Sequence, residues 1–282
     1  MVFVNCMWGL SFIASKHAMN AGFTPMTLAF FRYVIVSACL VPITLATEKR
    51  LALRRRDVLP MLLSGLTGIT VYYFCEYNGI LRTSTVSASL ILAVIPIITM
   101  VAEAVIYKTR MRPVQIAGAL ISLLGVGLIL LSGTNDGQDS ILGDLFILGA
   151  SAVWVAYIFA SRKLRDNYSS LSMNSWQSIT ALITLLPLAL GEKCDLAVIP
   201  WDGWAAMAVL AVVCSALCYY LYGNAICTMS PLASAIFINL TPLTTVLGGV
   251  LLLGESITWL TVAGGVLVIG SIFLVNVQDQ NA

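Results

Sequence analysis

The chain of 282 residues is 59% hydrophobic and only 10% charged, whereas an average soluble domain is roughly 25% charged. So much apolar surface cannot be hidden in one water-soluble core, which excludes a soluble globular protein. The net charge of +2 and the sparse basic residues also exclude a nucleic-acid-binding surface. The composition therefore predicts an α-helical membrane protein.

Apolar stretches of about 20 residues, the length that an α-helix needs to cross a bilayer, follow one another along the whole sequence. Short hydrophilic connections separate them and leave no room for a soluble domain. Residues 1–21 lack the basic segment that precedes the apolar core of a signal peptide, so we expect a first span there. The ten predicted spans are, in chain order, 2–21, 26–47, 58–81, 84–107, 113–133, 141–163, 172–190, 203–228, 232–254 and 258–277.

Basic residues concentrate on the connections at one end of this bundle, in 48–57, 108–112 and 162–166. Acidic residues such as Glu192 and Glu255 lie at the opposite end. The cytoplasmic connections of membrane proteins carry an excess of lysine and arginine. We therefore expect both termini of the chain in the cytoplasm.

The second half of the sequence repeats the first half at a fixed offset of 146 residues, and residues related by this offset are called repeat mates below. A shared register across helices that are otherwise uniformly apolar indicates an internal duplication. The repeat mates of identical type include Trp8 with Trp154, Tyr73 with Tyr219, Asn78 with Asn224, Pro96 with Pro242 and Gly118 with Gly264.

Each half holds five spans, so the second half enters the membrane from the side opposite to the first. We therefore predict an all-α integral membrane protein of ten transmembrane helices, arranged as two inverted five-helix repeats in 1–135 and 141–278. Two such halves are related by a pseudo-two-fold axis in the membrane plane, which is the geometry of many alternating-access carriers. A duplication that only enlarged the bundle is the alternative.

Two of the prolines fall in the middle of predicted spans, Pro96 in the fourth and Pro242 in the ninth. Each one removes a backbone hydrogen bond and kinks its helix. Because the two are repeat mates, we predict a paired hinge at these positions. A structural kink without motion is the competing interpretation.

Glycines in the fifth and tenth spans predict a close approach of helices. Gly118, Gly264 and Gly265 present no side chain, which allows two transmembrane backbones to touch. The sequence leaves open whether this contact forms within one protomer or between protomers.

Aromatic and amide side chains recur near the middle of several spans, where the aromatic belt of a membrane interface does not explain them. Asn239 also lies on a helical stripe of small and polar residues that includes Pro242. Core packing and a structural interhelical hydrogen bond are the alternatives. We predict a substrate cavity lined by Trp8, Ser11, Tyr73, Asn78, Trp154, Tyr157, Tyr219, Tyr222, Asn224 and Asn239.

Charged residues inside spans are costly and are functional candidates by default. Lys16, Arg32 and Glu76 lie roughly 7–9 Å from the same end of spans one, two and three, at 1.5 Å per residue. A pair of Glu76 with Lys16 or Arg32 would serve as a gate, as a site for a zwitterion or as a satisfied buried pair. Glu103, near the other end of span four, is a second gating candidate, or it reaches the nearby basic turn.

Other chemistries have little support in the sequence. No glycine-rich loop ends in Gly-Lys-Ser or Gly-Lys-Thr, so an ATP-driven motor is not predicted. With one histidine and seven cysteines that lack metal-ligand spacing, we expect no metal, no cofactor and no enzymatic activity. The cysteines are interpreted as small apolar packing residues.

Several motifs resemble the EamA-like branch of the drug/metabolite transporter superfamily. The resemblance covers nearly the whole chain and implies ten spans in two domains of five, with a central cavity lined by both halves. It also implies a bacterial inner-membrane carrier that exports amino acids or similar metabolites. The motifs that carry it are Trp8-Gly9-Leu10-Ser11-Phe12 with Lys16, Phe31-Arg32-Tyr33, Leu240-Thr241-Pro242-Leu243 and Leu253-Gly254-Glu255.

The chain departs from the family pattern at some positions. The repeat mate of Glu255 is Thr109, and the repeat mate of Arg32 is Ser178. The first span also lacks the carboxylate that small multidrug-resistance relatives use for proton exchange. The coupling ion is therefore left open.

These observations together predict a secondary transporter of small organic solutes, in contact with the lipid bilayer and with no nucleic-acid partner. Two intramembrane carboxylates balanced by Lys16 and Arg32 suit a zwitterion better than a cation. A cationic-drug exporter of the same fold and a non-transporting scaffold or receptor are the alternatives. A hydrated cavity that reaches mid-depth and is lined by Trp8, Trp154, Tyr157 and Asn239 would favour transport, whereas a sealed, dry interface between the halves would favour the scaffold.

Overall fold

A computed structural model describes residues 1–49, 51–108, 110–132, 140–226 and 240–279 of the chain, without the side chains of 163, 223–226 and 276–279. The regular structure in these ranges is entirely helical. The first half holds span 1 (Val2–Asn20), span 2 (Pro25–Glu48), span 3 (Arg55–Arg82), span 4 (Thr85–Leu92 and Ile95–Tyr107) and span 5 (Pro113–Ser132). The second half holds span 6 (Ile141–Arg165), span 7 (Ser170–Gly191), span 8 (Trp201–Ile226), span 9 (Leu240–Leu253) and span 10 (Trp259–Asp279).

The ten predicted spans are confirmed, with ends that differ by a few residues outside the part of span 9 that the structure does not describe. Large aliphatic side chains cover the outer surface of the bundle, and Leu123, Leu124 and Leu251 are each more than 60% exposed. In water these side chains would be costly, but a surrounding lipid phase accepts them. Within the described ranges, six helices are long and apolar enough to cross a membrane.

The two ends of the bundle differ in charge. The basic end is the end that carries the connections 49–54, 108–112 and 166–169. The acidic end carries the opposite connections, which include 192–200 and 254–258. These two names are kept below.

Spans 3 and 8 each contain a π-helical segment, Leu66–Val71 in span 3 and Val212–Leu217 in span 8. The two segments are separated by the same 146 residues as the sequence repeat. π-Helical turns are rare and frequently mark functional sites, because their wider ring leaves backbone groups less tightly paired. The duplication is therefore visible in backbone conformation as well as in side chains.

Span 4 is broken at Ala93 and Val94, and Pro96 lies in the first turn of its second helix, where a missing N–H costs little. The kink predicted at Pro96 is thus present as an interruption of the helix. Pro242 is buried near the start of the described part of span 9. Whether either proline acts as a hinge stays a prediction.

Spans 5 and 10 pack against each other through contacts that are repeated with the halves exchanged. A Cβ atom added at Gly118 would collide with Val275, and one added at Gly264 would lie 2.8 Å from Cγ1 of Ile129. Gly118 and Gly264 are repeat mates, and so are Ile129 and Val275. A contact that recurs in this way is what a two-fold relation between inverted halves produces.

The glycines predicted to allow close helix packing do so within one chain. A Cβ atom at Gly125 would lie 2.7 Å from the carbonyl oxygen of Gly264, so the two backbones touch. Gly265 faces Leu90 of span 4 instead, at 3.0 Å. The small residues of spans 5 and 10 therefore build one of the contacts between the two halves.

Candidate transport cavity

A cavity lies between the two halves of the bundle. Five spans contribute to its wall, and they belong to both repeats. The space open to the centre of a water molecule is about 20 Å³, room for about one water molecule. A larger solute therefore enters only after the aromatic walls move apart. The lining residues are Tyr33, Val36, Leu40, Gly68, Ile69, Trp154, Tyr157, Asn174, Gln177 and Tyr219.

The cavity extends from the middle of the bundle toward the basic end. Asn174 is in the second turn of span 7, about 6 Å from the start of that helix at the basic end. Tyr33 of span 2 is about 22 Å from the end of its helix at Glu48, and so lies beyond mid-depth. Of the four residues expected to line a hydrated mid-depth cavity, Trp154 and Tyr157 do so, Trp8 does not, and Asn239 lies outside the described residues.

The π-helical segment of span 3 forms one wall of the cavity. Gly68 and Ile69 of this segment line the cavity, and so does Tyr157 of span 6. A Cβ atom at Gly68 would lie 2.8 Å from Cε2 of Tyr157. The absence of a side chain at Gly68 is therefore what lets the Tyr157 ring lie against the backbone.

A cluster around Arg32 closes the cavity on the side of the acidic end. The guanidinium donates from Nε to Oγ of Ser215 at 2.8 Å and from Nη1 to the hydroxyl of Tyr77 at 2.7 Å. It also lies over the ring of Tyr73, 4.9 Å from the centroid. Because Ser215 belongs to the π-helical segment of span 8, Arg32 joins spans 2 and 3 of the first half to the second half.

Glu76 is buried, and its direct hydrogen-bond partner is a tyrosine. Its carboxylate accepts a hydrogen bond from the hydroxyl of Tyr72 at 3.2 Å, and Arg32 acts on it electrostatically without an ion-pair contact. Lys16 instead donates to the carbonyl oxygens of Ile80 and Thr83 at 2.5 and 2.8 Å. Carbonyls at a helix C-terminus attract a cation, which explains why Lys16 binds there.

The two mid-depth tryptophans do not stack on each other. Trp8 packs on Tyr222 with ring centroids 5.1 Å apart, and its Nε1 donates to the carbonyl oxygen of Cys214 at 3.2 Å. Trp154 packs on Tyr72 at 4.9 Å. Each tryptophan therefore contacts the opposite half, and only Trp154 lines the cavity.

Of the other residues predicted to line the cavity, Ser11 and Asn78 have described side chains, and both lie elsewhere in the bundle. Ser11 donates to the carbonyl oxygen of Trp8, and Asn78 donates to that of Phe74 on a partly exposed face. Neither side chain is among the lining residues. Asn224 is in span 8, but its side chain is not described, and Asn239 lies outside the described residues.

Sequence reasoning missed Asn174, Gln177, Tyr33 and Gly68. Asn174 and Gln177 are spaced by three residues in an otherwise apolar helix, a polar face that could have indicated the cavity. Gly68 gave no such indication, because its role depends on the π-helical backbone around it.

Two glutamates of the second half cap helices of the first half at the acidic end. Glu255 accepts from the backbone N–H groups of Thr85 and Val86 at 2.8 and 3.1 Å, and from the Thr85 hydroxyl at 2.9 Å. Glu192 accepts from the backbone N–H groups of Met26 and Thr27 at 2.9 and 3.0 Å. A carboxylate at a helix N-terminus pairs with orphan N–H groups and with the helix dipole. The two glutamate caps therefore hold spans 2 and 4 against the second half.

The two glutamates are not repeated at their mate positions. The repeat mates of Glu192 and Glu255 are Ala46 and Thr109, and neither can supply a carboxylate. At the basic end, however, Glu48 accepts a hydrogen bond from Ser169, the N-cap residue of span 7. The family's Leu-Gly-Glu motif, noted in the sequence at Glu255, has a structural role as a helix cap.

A model of the EamA-like transporter family matches residues 1–131 and 141–277. The chain belongs to this family. It is therefore a multi-pass membrane transporter and not an enzyme. Three curated relatives and one solved structure are also similar to this chain.

The relatives are similar along most of their length. The chain is 26% identical to "Uncharacterized transporter YyaM" of Bacillus subtilis, covering 93% of this chain and 87% of the relative. It is 27% identical to "Probable terminal-alkyne amino-acid exporter" of Streptantibioticus cattleyicolor, covering 79% and 74%. It is 25% identical to "Probable amino-acid metabolite efflux pump" of Salmonella typhimurium, covering 95% and 90%.

One solved crystal structure matches with a TM-score of 0.69 and 18% identity, over 99% of this chain and 96% of that chain. At this identity the match supports the fold alone. It agrees with the ten-span arrangement described above.

The basic end of this EamA-family transporter carries a weaker contact between the halves. Arg162 donates from Nη1 to Glu103 at 3.3 Å and to the hydroxyl of Tyr107 at 3.0 Å. The side chains of Arg162 and Glu103 are 59% and 49% exposed. Glu103 thus reaches a basic residue next to the turn, which was one of the two expectations for it.

We expect Glu103→Gln to change stability little, because ion pairs exposed to this degree contribute less than about 1 kcal/mol. The measurement is the unfolding temperature of the purified protein in detergent, with and without added salt. A drop of many degrees would contradict this reading and would make Glu103 a structural residue of the interface.

Proposed function

We propose that this EamA-family protein is a secondary transporter that exports amino acids or similar small metabolites by alternating access. The observation that carries the proposal is the cavity between the two inverted halves, which reaches toward the basic end and is closed at the acidic end. Rocking of the halves around such a central site exposes it alternately to the two sides. No ATP-binding motif occurs in the sequence.

The side of the membrane that the cavity faces follows from the charge of the two ends. If the basic end is cytoplasmic, as the positive-inside rule predicts, the cavity takes up its solute from the cytoplasm. Both termini then lie in the cytoplasm, and the protein resides in a bacterial inner membrane. The moving units are the two five-span repeats, 1–135 and 141–278.

Two observations support this class of solute over the alternatives. The names of two relatives refer to amino-acid export, and both match most of this chain. The closed end of the cavity also carries the buried cation Arg32, which repels a cationic drug. A scaffold has no need for an internal cavity lined by aromatic and amide side chains.

The test is exchange of labelled amino acids in proteoliposomes that contain the purified protein, with and without a proton gradient. We expect saturable flux of at least one amino acid, above that of protein-free vesicles. Flux that depends on the gradient would identify proton coupling. Background flux for every member of the panel, with correctly folded protein, would contradict the proposed function.

A variant whose cavity is filled tests whether the transported solute passes through that cavity. Gly68→Leu pushes the ring of Tyr157 into the cavity, so we expect transport to fall at least tenfold while the protein stays folded and monodisperse. Gly127→Leu is the matched control, because no atom lies within 4 Å of a Cβ atom at Gly127. Equal flux in the two variants would show that solutes take another route.

A further inference from the structure

We propose that Arg32 binds the carboxylate of the transported solute, so that the substrate class is small molecules with a free carboxylate, foremost α-amino acids. This inference rests on the proposed function. It goes further, because it assigns a binding group and a chemical requirement that neither the family nor the names of the relatives specify. Three properties of Arg32 support it.

The first property is a buried charge without a directly paired carboxylate. Arg32 is only 3% exposed, and within the described part of the chain no carboxylate forms an ion pair with it. Its direct partners are the hydroxyls of Ser215 and Tyr77 and the ring of Tyr73, and Glu76 interacts with it electrostatically without an ion-pair contact. A buried cation without an anion in contact is costly. A substrate carboxylate that arrives during transport would supply this contact.

The second property is unused hydrogen-bonding capacity. A guanidinium has five N–H donors, and two of its nitrogens can bind both oxygens of one carboxylate. Of the three nitrogens of Arg32, Nε and Nη1 have the partners described above. Nη2 has no hydrogen-bond partner among the described residues. The side chain therefore keeps free donors for a ligand.

The third property is the position beside the cavity. The hydroxyls of Tyr33 and Tyr219, which both line the cavity, lie 3.5 Å apart. The ring of Tyr33 packs on that of Tyr73 with centroids 5.6 Å apart, and the guanidinium lies over the same Tyr73 ring. Tyr33 and Tyr73 thus link the wall of the cavity to the guanidinium. The proposal requires that Tyr33 and Tyr219 rearrange so that a solute in the cavity reaches Arg32.

A zwitterion fits this end of the cavity better than a simple anion. Glu76 is buried on span 3, and its partner Tyr72 packs on the cavity-lining Trp154. Arg32 and Glu76 thus place opposite charges on the two sides of the Tyr72–Tyr73 pair. An amino acid carries a carboxylate that suits Arg32 and an ammonium group that suits Glu76.

The experiment compares an amino acid with its own amide, using the best amino acid from the proteoliposome panel. The amide keeps the ammonium group and side chain but has lost the negative charge. We expect wild-type protein to transport the amino acid at least tenfold faster than the amide. In Arg32→Gln, we expect the amino-acid flux to fall at least tenfold and the ratio of the two fluxes to approach one. Arg54→Gln removes an exposed arginine of the basic end and is the control, with an unchanged ratio.

Each outcome of this experiment tests a different part of the proposal. Equal transport of amino acid and amide by wild-type protein would overturn the role of a carboxylate, while the proposed function would stand. An unchanged ratio in Arg32→Gln would assign selectivity to another residue and overturn the role of Arg32. Absence of flux for the whole panel would instead refute the proposed function.

A conservative variant keeps the test valid if Arg32→Gln does not fold. Arg32→Lys retains the charge but cannot bind both carboxylate oxygens in parallel. We expect its KM for the amino acid to rise about tenfold while transport of the amide is unchanged. Equal changes for both solutes would indicate a purely structural residue and overturn the proposal.

Discussion

Replacing Glu255 by glutamine is expected to open the acidic end of the transporter and to raise the labelling rate of Cys214 at least tenfold. Glu255 uses both carboxylate oxygens to cap span 4, one for the N–H of Thr85 and the other for the N–H of Val86. Glutamine has a single acceptor oxygen, so one buried N–H loses its partner. That loss costs about 1–3 kcal/mol, and 1.4 kcal/mol is tenfold in a conformational equilibrium.

Cys214 reports on this opening because of its place in the repeat. It is the repeat mate of Gly68, which lines the cavity that faces the basic end. If the two halves exchange conformations, Cys214 lines the corresponding cavity at the acidic end, whereas it is now only 2% exposed. The measurement uses a protein with Cys214 as the sole cysteine and a membrane-impermeant thiol reagent, in vesicles of both orientations.

Glu192→Gln is the matched control for this experiment. Glu192 accepts all its hydrogen bonds through one oxygen, Oε2, so the amide oxygen of glutamine can replace it. We expect a much smaller rise in labelling than in Glu255→Gln. Equal rates in the two variants and the parent protein would show that the caps do not control closure.

Replacing Gly264 by valine is expected to lower the unfolding temperature in detergent by roughly 5–10 °C. A Cβ atom at Gly264 would lie 2.5 Å from the carbonyl oxygen of Gly125 and 2.8 Å from Cγ1 of Ile129. The first of these atoms belongs to the backbone, so the helices themselves must separate. Overpacking of this kind costs about 1–3 kcal/mol, occasionally more.

The same substitution at a second glycine of span 10 serves as the control. A Cβ atom at Gly270 has no other atom within 4 Å, so Gly270→Val is expected to change stability by less than about 0.5 kcal/mol. Similar unfolding temperatures for both variants would contradict the proposed contact between spans 5 and 10. A drop only in Gly264→Val would support the assignment of this contact to a single chain.

The spans and the duplication could be predicted because both can be recognised from the order of residue types along the chain. Hydropathy depends on residue type alone, and the repeat is a comparison of residue types at a fixed offset. The break near Pro96 was predictable for the same reason, since proline lacks the N–H that a helix requires. None of these inferences required knowledge of how each helix is rotated about its own axis.

The details of the site depend on that rotation and were harder to predict. Glu76 and Arg32 have similar depth and interact electrostatically, but Arg32 turns toward Ser215 and Tyr77, so depth alone did not give its direct hydrogen-bond partners. The glutamate caps were missed because a carboxylate next to a connection looks like an ordinary surface charge. Only the fold shows that Glu192 and Glu255 meet helix N-termini of the other half.

The matched π-helical segments Leu66–Val71 and Val212–Leu217 bear on the history of the chain. A π-helical turn corresponds to one extra residue in a helix, and a single extra residue can enter a gene in one step. The same irregularity at the same place in both halves is most simply explained if an ancestral five-span protein already carried it. The insertion then preceded the duplication, so the π-helical segment in the cavity wall is older than the duplicated carrier.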